Sequence, residues 1–181
     1  MTKIKIYVAG KVNPNSVFGT HDWRINFCKA LEEKTGFTIH NLDPTKTPKE
    51  NWDENDSSLV FGRDCYMISQ ADIVIVYLTD DISVGGSQEM LLAKYFHKPL
   101  IGLAPLNGKF NKDQKEIGGR QYINWKDPFV ATTCDRIAGN IDEVALAISD
   151  FLASSYKSKD VSIITQNMEY YKNKLLGKDI I

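Results

Sequence analysis

Four polar side chains are placed along this sequence where a small α/β protein could use them for chemistry. Tyr7 lies near the end of a strand-like segment, Asp64 precedes another such segment, and Ser83 and Glu89 follow it. Because ligands bind at the carboxyl ends of parallel strands, we expect these side chains to converge on one rim. An ionised carboxylate beside a sugar can attack the anomeric carbon while a second group handles the proton on the leaving atom. Glu89 is the candidate nucleophile, and Asp64 is the candidate second group.

Taken singly, each of these residues also has an ordinary structural interpretation. A glutamate such as Glu89 near a helix start compensates the helix dipole on many protein surfaces. Asp64 could form a local ion pair with Arg63, Tyr7 could be a core aromatic, and Ser83 could be a plain loop residue. It is their order along the chain that favours a joint function.

The pair Gly85-Gly86 comes just before a predicted helix and could cradle a phosphate on free backbone N–H groups. Its spacing matches neither GxGxxG nor GxxxxGK[ST], so a Rossmann or P-loop assignment is weak. His21, His40 and His97 share no ligand spacing. We therefore expect neither a metal site nor a cofactor.

The elements that must position these residues alternate between strand and helix. Strands are predicted over residues 3–9, 37–42, 72–78 and 99–103, with a short last strand over 129–133. Helices are predicted over residues 23–36, 59–71, 87–96, 141–152 and 165–176, and residues 106–119 are predicted to be a glycine- and lysine-rich loop. This alternation predicts an α/β fold: a single flavodoxin/Rossmann-like three-layer domain with a central, mostly parallel sheet of about five strands. The apolar run 72–78 is its expected central strand.

Composition narrows the classes of partner. The chain has 181 residues, of which 43% are hydrophobic, enough for one compact core. Its 22 basic and 23 acidic residues nearly cancel, and no basic stripe appears, so we expect a small-molecule ligand and no nucleic-acid polymer. The three cysteines are widely spaced, no apolar stretch has membrane-spanning length, and no leader pattern is seen. We therefore expect a cytoplasmic protein without a membrane partner.

An ordered combination of motifs runs through the chain. It consists of Ile6-Tyr7-Val8-Ala9-Gly10, Trp23-Arg24, Asp64, Asp72-Ile73-Val74-Ile75-Val76, Gly85, Glu89 and Lys98-Pro99-Leu100-Ile101. This combination resembles the nucleoside 2-deoxyribosyltransferase family, whose relatives include 2'-deoxynucleoside 5'-phosphate N-hydrolases and pyrimidine-nucleotide N-glycosidases. The match is continuous over residues 1–105 and looser beyond. We assign residues 1–153 to the family-like domain and 154–181 to a helical tail, an expected oligomer contact.

The resemblance implies roles for matching residues. Glu89 matches the family's nucleophile, which forms a covalent glycosyl-enzyme intermediate. Asp64 matches the aspartate beside the leaving base and sugar, and Tyr7 matches the tyrosine that orients the nucleophile. Gly10 matches the glycine where backbone meets ligand, and Gly85 is a further expected ligand contact.

The phosphate question is open in the sequence. Resembling transferases often carry an aspartate where this chain has Ser83, whereas the nucleotide hydrolases carry a serine that helps hold a 5'-phosphate. Ser83 therefore favours a nucleotide. The segment 11–19 lacks the hydrolases' arginine-bearing phosphate loop, although Lys11, Ser16 and Thr20 could substitute.

Members of the family also borrow site residues from a neighbouring subunit. Thr132 and Thr133 are the candidates here, in an expected homo-oligomer. The predicted function is cleavage or exchange of the N-glycosidic bond of a (deoxy)nucleoside by a retaining mechanism, in nucleotide metabolism and salvage. The alternatives are a (deoxy)nucleoside 5'-monophosphate N-glycosidase and a non-catalytic nucleotide-binding or sensing module.

Overall fold

The computed structural model describes residues 2–14, 16–153 and 156–180. The strands are β1 (Lys3–Ala9), β2 (Thr38–Leu42), β3 (Ile73–Tyr77), β4 (Leu100–Leu103), β5 (Asn111–Ile117), β6 (Arg120–Lys126) and β7 (Arg136–Ala138). The helices are α1 (Trp23–Thr35), α2 (Ser57–Gln70), α3 (Val84–Tyr95), α4 (Pro128–Thr133), α5 (Ile141–Ala153) and α6 (Ser162–Lys174), followed by a 3-10 turn at Leu176–Lys178.

Five strands form one parallel sheet in the order β2-β1-β3-β4-β7. This is the flavodoxin-like order, in which the direction of winding reverses between β1 and β3. All five residues of β3 are buried, because helices cover both faces of this middle strand. The predicted α/β class, the parallel five-stranded sheet and the central strand are confirmed.

Two apolar layers enclose the sheet. Ile6 and Val8 of β1 pack with residues of α1 and α5 on one face. Tyr7 and Ala9 point to the opposite face, where they pack with residues of α2, α3 and α4. The pleat of β1 therefore directs Tyr7 toward the helices that carry Asp64 and Glu89.

Two segments between β4 and β7 differ from the sequence prediction. Residues 111–117 of the predicted loop form β5, which pairs antiparallel with β6. This hairpin turns at Gly118 and Gly119, which both have positive φ, as a two-residue hairpin turn requires. The predicted strand at 129–133 is wrong, because these residues belong to α4: the Asp127 side chain caps that helix, and Pro128 opens it. The last strand of the sheet is instead β7.

The remaining boundaries shift less. α3 begins at Val84 rather than at residue 87, so the glycine pair lies inside its first turn. α6 covers part of the predicted tail, and its Ile163 is buried. The predicted domain boundary at 153/154 touches residues 154 and 155, which lie outside the described residues. No helix in the described part of the chain is long and apolar enough to cross a membrane.

Candidate active site

A buried hydrogen bond joins the two residues at the centre of the site. The Tyr7 hydroxyl donates to Oε1 of Glu89 over 2.8 Å. β1 supplies the tyrosine from the sheet, and α3 brings the glutamate over the carboxyl end of that strand. Ser83 fixes the start of α3, because its Oγ accepts a bond from the backbone N–H of Gly86 at 3.0 Å. The packing of α3 against β1 therefore brings the Glu89 carboxylate into contact with the Tyr7 hydroxyl.

Burial decides the charge of Glu89. Its side chain lies more than one turn into α3, where the helix dipole is weak, and the residue is 9% exposed. Desolvation raises the pKa of Glu89 to about 7, the hydrogen bond from Tyr7 opposes this rise, and the charge of Asp64 adds to it. Burial therefore outweighs any stabilisation that the helix dipole gives to the ionised carboxylate. Glu89 is poised to change charge near neutral pH.

A cleft with a volume of about 390 Å³ opens beside this carboxylate. Four of the sequence-predicted residues line it: Gly10, Asp64, Ser83 and Glu89. Asp64 is half-buried on α2, and desolvation raises its pKa above the usual range of an aspartate. A carboxyl group that holds its proton more readily is suited to act as a general acid. The cleft thus brings together two carboxyl groups with raised pKa values, one on α2 and one on α3.

Arg24 also lines the cleft, although the sequence analysis assigned it no role beyond its place in the Trp23-Arg24 motif. Its Nε donates to the carbonyl of Val8 at 2.9 Å, and its Nη2 donates to the carbonyl of Gly10 at 2.8 Å. The residue is 3% exposed. A signal was present in the sequence, because a charged residue shares the helix face of Phe27 and Leu31 in the spacing i, i+3, i+7.

The polar segment after β2 forms another wall of the cleft. Thr45, Thr47 and Glu54 line it. Arg63 of α2 anchors this segment by donating to the carbonyls of Pro44 at 2.9 Å and Lys46 at 2.6 Å. The long connector between β2 and α2 therefore contributes side chains to the site, and those residues were not singled out by the sequence.

The other predicted ligand contacts lie at different distances from the cleft. Gly85 adjoins it, because a Cβ built there would lie 3.7 Å from Oε1 of Glu89. Gly86 is buried, and its backbone N–H donates to Oγ of Ser83. The side chain of Lys11 forms an ion pair with Asp81 at 3.6 Å and does not line the cleft.

Thr132 and Thr133 lie elsewhere in the chain. They line a separate apolar pocket of about 380 Å³, beside Leu91, Phe129 and Ile163. Their contribution to the site of a neighbouring subunit stays a prediction. Within residues 2–14, 16–153 and 156–180, no group of three or more His, Cys, Asp or Glu side chains is arranged to hold a metal ion.

The similarity of this chain to known proteins is found in its structure. No protein-family model matches the sequence, and no curated protein matches it. A conserved protein of Enterococcus faecalis V583 aligns with a TM-score of 0.59 at 13% identity, covering 83% of this chain and 99% of that one. The 2-deoxyribosyltransferase of Bacillus psychrosaccharolyticus aligns with a TM-score of 0.50 at 17% identity, covering 78% and 90%. The chain shares the fold of a 2-deoxyribosyltransferase.

A third solved structure is the CMP N-glycosidase BcmB of Clostridium botulinum. It aligns with a TM-score of 0.42 at 14% identity and covers 80% of this chain and 98% of that one. At these identities the comparisons establish the fold, which is the fold implied by the sequence resemblance.

Proposed function

We propose that this protein cleaves or exchanges the N-glycosidic bond of a (deoxy)nucleoside by a retaining mechanism, with Glu89 as the nucleophile. The observation that carries the proposal is the buried Tyr7–Glu89 bond beside a cleft that Asp64 also lines. The fold shared with a 2-deoxyribosyltransferase supports the same reaction class. The cleft lies at the carboxyl ends of β1 and β3, where flavodoxin-like sheets bind ligands.

In the first step, Oε2 or Oε1 of ionised Glu89 attacks C1' of the sugar as the C1'–N bond to the base breaks. The electron pair of that bond stays on the base, and Asp64 donates a proton to it. The product is a glycosyl ester of Glu89 with inverted configuration at C1'. A second base or water then attacks C1' from the other face, which releases Glu89 and restores the configuration.

The charges of the cleft favour an uncharged nucleoside over a 5'-monophosphate. The nucleophile Glu89 must be ionised, the carboxyl group of Glu54 lines the same cleft, and two nitrogens of Arg24 already donate to main-chain carbonyls. A dianionic phosphate placed here would be repelled. Ser83 and the N-terminus of α3 at the same cleft favour the nucleotide, so a 5'-monophosphate N-glycosidase is the second candidate.

The test is a product assay with deoxynucleosides and their 5'-monophosphates, each with and without a free acceptor base. Chromatography distinguishes a new nucleoside, which indicates transfer, from free base and free sugar or sugar phosphate, which indicate hydrolysis. The Glu89→Gln protein is the matched control, because it keeps an acceptor for Tyr7, and we expect it to lose activity by at least about 10³-fold.

Two results would contradict the proposal. A Glu89→Gln protein with substantial turnover would exclude Glu89 as the nucleophile. Thermal stabilisation by nucleosides or nucleotides without any product across the substrate set would indicate the non-catalytic binding or sensing module instead.

A further inference from the structure

Arg24 is a buried cation fixed to the end of β1. Two of its nitrogens donate to the carbonyls of Val8 and Gly10, and its guanidinium lies 4.5 Å from the ring centroid of Trp23. These bonds hold the backbone on both sides of Ala9, just beyond Tyr7 on the same strand. Arg24 therefore belongs to the framework that sets the position of the tyrosine and of the cleft wall at Gly10.

The charge of Arg24 is incompletely compensated. Its Nη1 is buried and has no hydrogen-bond partner among the residues that the structure describes. The carboxylate of Asp43 approaches Nε only to 3.9 Å, and the same Oδ1 already accepts bonds from the N–H and the hydroxyl of Thr45. An unpaired buried donor is destabilising, so its presence beside a cleft indicates a functional role.

Several titratable groups face this cation from the surrounding elements. They are Tyr7 on β1, Cys28 on α1, Asp43 and Glu54 in the segment after β2, Asp64 on α2 and Glu89 on α3. The guanidinium of Arg63, beside Asp64, is held by the Pro44 and Lys46 carbonyls. The positive charge of Arg24 lowers the pKa of both Glu89 and Asp64, against the burial that raises them.

We propose that Arg24 is a positioning residue for the nucleophile: it anchors the end of β1 and supplies the positive charge that keeps Glu89 ionised once a sugar fills the cleft. A bound nucleoside excludes water, and the loss of water strengthens every remaining charge interaction in the cleft. A neutral substrate brings no cation of its own, so the protein must provide one. This inference rests on the proposed role of Glu89 as the nucleophile.

The test compares two variants of Arg24 with a matched control. Arg24→Gln removes the charge, and Arg24→Lys keeps it while losing the forked geometry. Lys34→Gln removes one positive charge from the other end of α1, about 15 Å along the helix, where Lys34 pairs with exposed Asp142. The readouts are the pH profile of kcat/KM and the titration of the Glu89 carboxyl carbon by NMR, assigned with Glu89→Gln.

For Arg24→Gln we expect the acidic limb of kcat/KM to move up by about one pH unit, a loss of about tenfold at pH 6 that is largely recovered at pH 9. The Glu89 titration should move with it. Arg24→Lys and Lys34→Gln should keep the wild-type limb. A loss of activity in Arg24→Gln that is equal at every pH, with an unmoved Glu89 titration, would reduce Arg24 to a structural residue and overturn the proposal.

Asp43→Asn keeps the test decisive if Arg24→Gln does not fold. Removing the partial counter-charge should let Arg24 act more strongly on Glu89, so the limb and the titration should move to lower pH, and unmoved values would contradict the proposal. Should the wild-type protein turn over no nucleoside or nucleotide, the proposed function fails. The NMR titration would then still decide whether Arg24 controls the charge of Glu89.

Discussion

Helix α3 carries two buried charges, and the structure treats them in opposite ways. Near its C-terminus, Lys94 pairs with Asp135, and neither side chain has exposed surface. Asp135 also accepts the backbone N–H groups of Leu100 at 2.7 Å and Lys159 at 2.8 Å. This pair is closed on all sides, and it ties α3 to β4 and to the segment before α6.

Glu89, in the N-terminal half of the same helix, has no basic partner of this kind among the described residues. It accepts a hydrogen bond from Tyr7, faces a cleft, and shares that cleft with a second carboxyl group on Asp64. A saturated ion pair holds a fold together, whereas a buried carboxylate left open to a cavity keeps its reactivity. The difference supports a structural role for Lys94 and the proposed catalytic role for Glu89.

After the loss expected for Glu89→Gln, the largest expected effect in the cleft is that of Asp64→Asn. Asparagine fills the same space but donates no proton to the leaving base, so we expect kcat to fall by about 10²–10⁴-fold with little change in stability. Substrates with a better leaving base should suffer less, since they need less proton transfer. Equal losses for good and poor leaving bases would argue that Asp64 only binds the substrate.

On the closed side, the expected effect is on stability. Asp135→Asn leaves Lys94 buried without a counter-charge and should destabilise the protein by about 3–5 kcal/mol, measured by denaturant unfolding. Asp142→Asn removes an exposed partner of Lys34 and should cost about 1 kcal/mol or less. If both variants lose the same small amount of stability, the Lys94–Asp135 pair does not stabilise the fold as its burial indicates.

Neutralising Glu89 is expected to stabilise the protein rather than destabilise it. The pKa of Glu89 is raised from 4.5 to about 7 in the folded protein, so the fold prefers the protonated form. Stability from this group is fully present below pH 4.5 and is lost as the pH rises through 7. Glu89→Gln should therefore equal the wild type in stability near pH 4.5 and exceed it by up to about 3 kcal/mol above pH 7. A constant difference at all pH values would mean that Glu89 titrates normally.

The sequence predicted those parts of the fold that depend on strong local patterns. The apolar run that became β3 and the rule that ligands gather at strand ends were enough to bring Tyr7, Asp64 and Glu89 to one rim. The hairpin β5-β6 was missed because its strands are largely exposed and carry no clear apolar alternation. The turn signal at Gly118-Gly119 was its only local mark.

What the sequence could not supply is tertiary environment. The role of Arg24 depends on carbonyls of β1, which approach it only after the sheet and α1 pack together. The raised pKa of Glu89 depends on how completely its neighbours exclude water. The Lys94–Asp135 ion pair joins residues far apart in the chain, so the sequence could not predict that the two would be buried together.

The smallest expected effect compares one hydroxyl at each end of α3. Tyr7→Phe removes the hydrogen bond that lowers the pKa of Glu89, so the acidic limb of kcat/KM should move up by about one unit, with about a tenfold loss at pH 6 and little at pH 9. Tyr156→Phe removes a long 3.5 Å contact to Asp135 and should leave the profile unchanged. If Tyr7→Phe lowers the rate equally at every pH, the hydroxyl serves to aim Glu89 rather than to set its charge.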